Sequence, residues 1–411
     1  MRYLWTTALL LGMTTAAVAG NWPQWRGPAG NGVAEEQNLP LKWSATENVR
    51  WKIPLPSPGN STPIIWGTRL FLTQSLDGTG RERAVICFRR QDGKELWRRV
   101  VRFDGKESTH RENPYCSSSP VTDGKRVIAW LGSAGVVCYD LEGKPLWQRD
   151  LGTFEFIWGN ASSPTLYKNL VILNCGPGER TFLIALDKRT GKTVWKVDIP
   201  GGKAGANAKE WVGSWSTPRI ATLKGRDEVI VSWSRAVKSY DPQTGKLLWT
   251  CGGLTDLVYT SPLITPEVIV AMSGYGGSYL AVKTGGSGDI TKTHRLWRME
   301  RSAQRIGSGV ILGDMIYMVN ANGVAQGIDL KTGKTLWEER LPGGGVWASL
   351  VQAGGRLYVT NLRGETFVLA AKPTFEVLAQ NSLGEKTLAS VAVSEGEVFI
   401  RTWESLWCLG G

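Results

Sequence analysis

The feature that most constrains this chain is a turn that recurs along it, led by Asp and followed by Trp. The fullest copy reads Leu186-Asp187-Lys188-Arg189-Thr190-Gly191-Lys192-Thr193-Val194-Trp195, and residues 240–249 and 328–337 repeat it closely. Shorter versions are Gln91-Asp92-Gly93-Lys94-Glu95-Leu96-Trp97 and Asp140-Leu141-Glu142-Gly143-Lys144-Pro145-Leu146-Trp147. Asp opens such a turn by accepting backbone N–H groups, and Gly takes the left-handed position that other residues resist. Each copy therefore predicts a hairpin, with the Trp on the last strand of its unit. One small sheet cannot bury that ring. A neighbouring sheet must cover it, which is the logic of stacked repeats.

The series comprises Trp51, Trp97, Trp147, Trp195, Trp249, Trp297 and Trp337, at intervals of 40 to 54 residues. That spacing holds four short strands with their turns, which is one propeller blade, and assigns these Trp residues to blade docking. A hydroxyl residue, often followed by Pro, marks the start of each unit: Thr62, Ser119, Ser163, Thr217, Ser261, Ser308, Ser349 and Ser390. These positions count eight blades, and their hydroxyls are expected to bond backbone amides at strand starts. In the second blade the expected strands are 118–122, 126–131, 135–140 and 145–150. The eighth unit has room for only three strands before Gly411, and residues 48–53, which carry Trp51, supply the fourth. The fold class read from this pattern is all-β: an eight-bladed β-propeller of four-stranded antiparallel blades, closed by an N-terminal strand pairing with the last blade. A linear β-solenoid would leave the incomplete first and last units unexplained.

Twenty Trp, 50 Gly, 42% hydrophobic residues and 20% charged residues suit a globular chain with a large core. The expected organisation is a signal peptide over 1–19, an extended segment over 20–47, and the propeller over 48–411. The basic Met1-Arg2 start, an apolar run to Ala19 and the small-x-small Ala17-Val18-Ala19 form the signal pattern. The run is too short and too rich in Thr and Gly for a membrane span, and no Cys follows it to carry a lipid anchor. The expected location is thus the periplasm or the cell exterior, as a monomeric propeller. A net charge of +12 favours anionic partners, although export argues against nucleic acid. None of the six Cys forms a CxxC pair. Cys87, Cys138 and Cys408 sit in apolar strand-like runs, where Cys acts as a small hydrophobe.

The turn with its docking Trp resembles the repeat of PQQ-type, quinoprotein-like propellers over about residues 48–410. The opening Trp22-Pro23-Gln24-Trp25-Arg26-Gly27-Pro28 is similar to the start of exported members. The seventh blade departs from the pattern, because Ala371-Lys372-Pro373-Thr374-Phe375-Glu376 lacks both Gly and Trp. The resemblance implies one of two roles. One is an exported binding or scaffold protein, like the outer-membrane β-barrel assembly propeller, with a protein or cell-envelope polymer as partner. The other is a PQQ- and Ca²⁺-dependent oxidoreductase, or a degenerate relative that keeps the cofactor. The dehydrogenases hold their metal with Glu, Asn and Asp, and many carry an adjacent-Cys disulfide. This chain has no adjacent Cys pair, and its placeable acidic residues, Asp140, Asp187, Asp241 and Asp329, read as turn formers.

No catalytic or metal-binding residue is therefore assigned, and no cofactor is expected on the first reading. The segment before each hydroxyl residue links an outer strand to the next inner strand, so it crosses one face and drops toward the axis. These segments carry His110, Asn113, Tyr115, Trp158, Asn160, Trp211, Trp215, Tyr259, Arg305 and Trp347. Such residues are candidates to grip a planar or anionic ligand, a sugar or a peptide, and equally candidates to plug a narrow axis. His110 has no obvious metal-binding partner and is expected to make a loop hydrogen bond.

Overall fold

The inner strands of each repeat are near-continuous buried runs, as in Arg69–Ser75 and Glu82–Arg89. The outermost strands alternate, as in Glu95–Arg102, where Trp97 and Val101 point inward between exposed charges. This is the burial pattern of sheets covered on both faces near an axis and wetted at the rim. The computed structural model describes residues 20–203, 211–301 and 303–411, and it is an eight-bladed β-propeller. The expected signal segment, 1–19, lies outside the described residues.

The first blade comprises Ile64–Trp66, Arg69–Ser75, Glu82–Arg89 and Glu95–Arg102, hydrogen-bonded in that order. The second comprises Val121–Thr122, Arg126–Trp130, Val136–Asp140 and Pro145–Arg149, within a few residues of the expected strands. The last blade takes Ala392–Ser394, Glu397–Arg401 and Ser405–Leu409 from the C-terminal end. Val49–Pro54 adds antiparallel to it, with Trp51 opposite Cys408 and Ile53 opposite Leu406. Lys52 holds this seam by an ion pair to Glu385 at 2.6 Å, and Arg50 by one to Glu397 at 3.1 Å. Burial alone would push the Glu385 carboxyl up, but hydrogen bonds from Lys52, Thr402 and Trp407 outweigh it and hold the group below its ordinary range.

The blade junctions explain why Gly and Trp recur together. In five of the seven, the docking ring lies over the turn Gly of the following blade, and its Nε1–H donates to a carbonyl in that turn. Trp51 donates to Arg90 O at 2.8 Å, Trp97 to Leu141 O at 2.9 Å, Trp147 to Lys188 O at 3.0 Å and Trp195 to Pro242 O at 3.0 Å. Trp297 repeats the bond with Leu330 O at 2.9 Å. Two members of the series differ. Trp337 meets the turn that lacks Gly; its ring packs on Phe375 at 5.5 Å, and its Nε1 is buried without a partner. Trp249 is fully buried and donates within its own blade, to Glu228 Oε2 at 2.7 Å. The cause is the long turn of the fifth blade. It contributes Gly288–Asp289 as a parallel fifth strand beside Trp249 and Thr250, taking the place of a short Gly turn.

Residues 20–47 cross the face that carries the turns between first and second strands. Trp22 bridges Ile65, Thr122 N–H donates to Pro23 O at 2.9 Å, and Gln352 N–H donates to Gly32 O at 2.7 Å. Arg26 is buried near the axis, with Nη1 donating to Ser308 O at 2.8 Å and Nη2 to Asn31 O at 2.6 Å and Gly309 O at 2.5 Å. Burial lowers its pKa to about 9, helped by nearby Arg219, and its three carbonyl acceptors favour the charged form at neutral pH. All six Cys are buried free thiols.

Candidate functional site

The hydroxyl residues form a hydrogen-bonded girdle around the axis. Thr62 N–H donates to Ser119 Oγ at 2.9 Å, Ser119 N–H to Ser163 Oγ at 3.0 Å, and Ser163 N–H to Thr217 Oγ1 at 3.0 Å. The series continues through Ser261, Ser308 and Ser349 to Ser390, at 2.9–3.0 Å per bond. Each hydroxyl from Ser119 to Ser390 accepts the amide of the hydroxyl residue in the preceding blade, so the girdle links neighbouring blades.

Above the girdle lies a cup with a volume of about 160 Å³. Thr62, Ser119, Ser163, Ser349 and Ser390 line its depth, and Trp25 from the N-terminal segment reaches it from the opposite face. Trp25 also lines the cavity beneath that segment. The blade-linking loops build the wall. Among the sequence-level candidates, Asn113, Trp158, Trp215, Tyr259 and Trp347 come together there. Trp215 and Tyr259 pack edge to face at 5.1 Å, and Trp215 Nε1–H donates to Gly159 O at 2.8 Å. Asn113 Nδ2 donates to Trp158 O at 2.6 Å and Asn160 O at 3.2 Å, tying two loops together. Burial raises the Tyr259 phenol to about 12, so it is a neutral hydroxyl at physiological pH.

The other candidates lie elsewhere. His110 stands behind the wall, its ring 4.1 Å from that of Trp158, and its Nδ1 accepts the Glu112 N–H at 3.2 Å. Burial holds its pKa below the ordinary value, against Glu112 and with Arg111. Tyr115 and Asn160 face a separate small cavity beside Glu107. Glu107 carries a buried ion pair to Arg83 at 2.7 Å, accepts Asn160 Nδ2 at 3.0 Å, and accepts Tyr115 Oη on its backbone carbonyl at 3.0 Å. These contacts order the long 103–118 loop rather than the cup. Arg305 does not reach the mouth. It is 1% exposed, donates to Gln326 Oε1 at 3.0 Å and lies 4.7 Å from the Tyr279 ring centroid, while Gln304 and Ile306 on either side line the cup. Trp211 packs edge to face on Trp158 at 6.4 Å.

Sequence reasoning missed Trp25, Asn60, Glu112, Gln304 and Leu388 in the wall. Asn60 and Leu388 had an available signal, since each stands two residues before its hydroxyl position just as Trp347 does, whereas Gln304 stands four before Ser308. Asn60 is held by its own Nδ2 donating to Glu112 O at 2.9 Å and by Trp403 Nε1 donating to its Oδ1 at 3.1 Å.

A family model described as outer membrane protein assembly factor BamB matches residues 33–174 and 179–409. The chain belongs to this family. BamB of Shewanella oneidensis is 24% identical over 246 residues, covering 55% of this chain and 55% of that one. Tetrathionate hydrolase of Acidithiobacillus ferrooxidans is 25% identical over 244 residues, 53% of this chain and 44% of that one. The chain thus spans about half the length of the curated relatives it matches. The structure of BamB from Moraxella catarrhalis superposes with a TM-score of 0.62 at 15% identity, covering 88% of this chain and 96% of that one. Quinohemoprotein alcohol dehydrogenase from Comamonas testosteroni gives 0.68 at 12% identity, with 97% and 82% covered. At such identities the likeness is one of fold.

The propeller is thus shared by BamB proteins and by quinone enzymes, and the donor set of this cup discriminates between them. A tricarboxylate quinone paired with a divalent ion calls for cations and several carboxylates. Among the described residues no Lys or Arg lines the cup, and the one carboxylate, Glu112, is engaged by Lys386 at 2.6 Å. Among the described residues no group of three His, Cys, Asp or Glu is placed to hold a metal. The described lining does not fit that pair.

Proposed function

We propose that this protein is a non-enzymatic binding and scaffold protein, exported to the cell envelope and serving outer membrane protein assembly, the role named for its family. Its partner docks on the face that bears the mouth of the cup, where the blade-linking loops gather. The observation that carries this reading is the described lining: aromatic rings, hydroxyls and amides surround, among the described residues, a single ion-paired carboxylate. Such a wall offers contact area and hydrogen bonds but no general base free of a counter-ion. The signal pattern over 1–19 supports export, and cell fractionation tests it directly.

The decisive experiment is crosslinking from the mouth. A photoreactive group at the exposed Tyr275, on a loop of that face, is expected to capture a discrete envelope protein. A group at Leu336, on a blade's outer edge, is expected to capture none. The competing quinone reading is tested by adding PQQ and Ca²⁺ and recording absorbance and Tm. A tight ligand must raise Tm, so a saturable rise with a cofactor spectrum would overturn the scaffold reading.

A further inference from the structure

We infer that the axial cup is a binding site for a neutral saccharide, one or a few pyranose rings entering from the open mouth. This rests on reading the cup as a binding site rather than a redox centre.

Three observations converge on that ligand class. The first is charge. The chain carries a net +12, yet among the described residues the cup presents no Lys or Arg, and its single carboxylate is ion-paired. A site evolved for an anion would place some of that abundant positive charge in its wall. The second is the aromatic surface. Trp25, Trp158, Trp215, Tyr259 and Trp347 line the cup. The C–H faces of a pyranose are weakly positive and lie flat against the negative face of such rings. The third is unspent hydrogen-bonding capacity at depth. In the girdle, Ser119, Ser163, Ser349 and Ser390 accept an amide N–H through their hydroxyl oxygens, which leaves each O–H hydrogen to donate. Trp158 Nε1 is buried without a partner. Sugar hydroxyls both accept and donate, so they can answer these donors and the carbonyl-like acceptors of Asn113 and Gln304 in the wall. A purely aromatic or aliphatic ligand would leave the buried donors unanswered at a cost in affinity.

The test is intrinsic tryptophan fluorescence of the full chain, titrated with maltotriose, cellotriose and chitotriose as neutral probes and with trigalacturonate as the charged one. At least one neutral probe is expected to give a saturable change, with trigalacturonate at least tenfold weaker. Trp347→Ala and, separately, Gln304→Ala are expected to weaken that binding at least tenfold at unchanged Tm. Trp195→Phe, at a distant blade junction, is expected to leave it unchanged. The proposal is overturned if no neutral probe saturates, if trigalacturonate binds as well, or if both cup variants bind like the parent protein. Failure here with partner capture retained at Tyr275 sinks only the ligand class. A PQQ–Ca²⁺ spectrum would sink the binding-site reading beneath it.

Discussion

At the residue scale, the Gly of each turn serves two constraints at once. Gly191 has φ of +70°, and a Cβ added to it would lie 2.6 Å from the Trp147 ring of the preceding blade. Gly191→Ala is therefore expected to cost about 1–3 kcal/mol, from left-handed strain and from displacing the ring. Denaturant unfolding would measure it, and Gly225→Ala, at a positive φ with open space around it, should cost less. His110 makes the second residue-scale prediction. Its folded pKa is depressed, so the unfolded chain takes up the proton first. Its contribution is intact above the unfolded value of about 6.5 and falls as pH drops below it, toward the folded pKa. Protonation also removes the Nδ1 acceptor for the Glu112 amide, and with it support behind Trp158. Between pH 7 and 5, Tm should fall less in His110→Gln than in the parent protein.

At the element scale, residues 20–47 act as a strap, because their irregular backbone finds hydrogen bonds on several blades as well as within its own turns. Arg26 is the central pin. Arg26→Met keeps much of the apolar stem but leaves the buried carbonyls of Ser308 and Gly309, and the part-buried one of Asn31, without their donor. A loss of about 2–4 kcal/mol is expected, with earlier proteolytic cleavage in the segment. Since Trp25 adjoins this pin, the same variant should broaden the environment of the cup, read as a red shift in fluorescence. The long turn of the fifth blade is a second element-scale device. By laying Gly288–Asp289 along the fourth blade it covers an outer edge that other blades leave open.

At the scale of the whole molecule, ring closure is the cooperative event. Every blade junction buries rings and apolar side chains, but the last exists only when Val49–Pro54 adds to Ser405–Leu409. Removing residues 20–54 should expose the edge of Ser405–Leu409 and leave the first and eighth blades undocked. The expected result is a lower, broader thermal transition and self-association by light scattering, through pairing of open edges. A truncated chain that stayed monomeric with the parent Tm would contradict closure as the source of cooperativity.

The chain's own letters determined the architecture because the signals that encode a blade are local. Asp and Gly specify the turn, alternation specifies the strands, and a Trp with no cover in its own sheet demands a neighbour. The count of eight and the pairing of the two ends follow from those signals alone. The wall of the cup was partly legible, since Trp215, Tyr259 and Trp347 each stand two residues before a hydroxyl position and Trp158 lies on the same kind of loop, five before Ser163. Tertiary structure decided the rest. Which way a side chain turns in an irregular loop depends on partners far along the chain, so Arg305 is buried while its neighbours Gln304 and Ile306 face the cup. Trp25 reaches the axis because Arg26 bonds carbonyls 282 and 283 residues away, and Trp249 turns inward because a distant turn takes its docking place. Contacts of that kind carry no periodic signature. They exist only after the ring has closed and brought remote residues to a common axis.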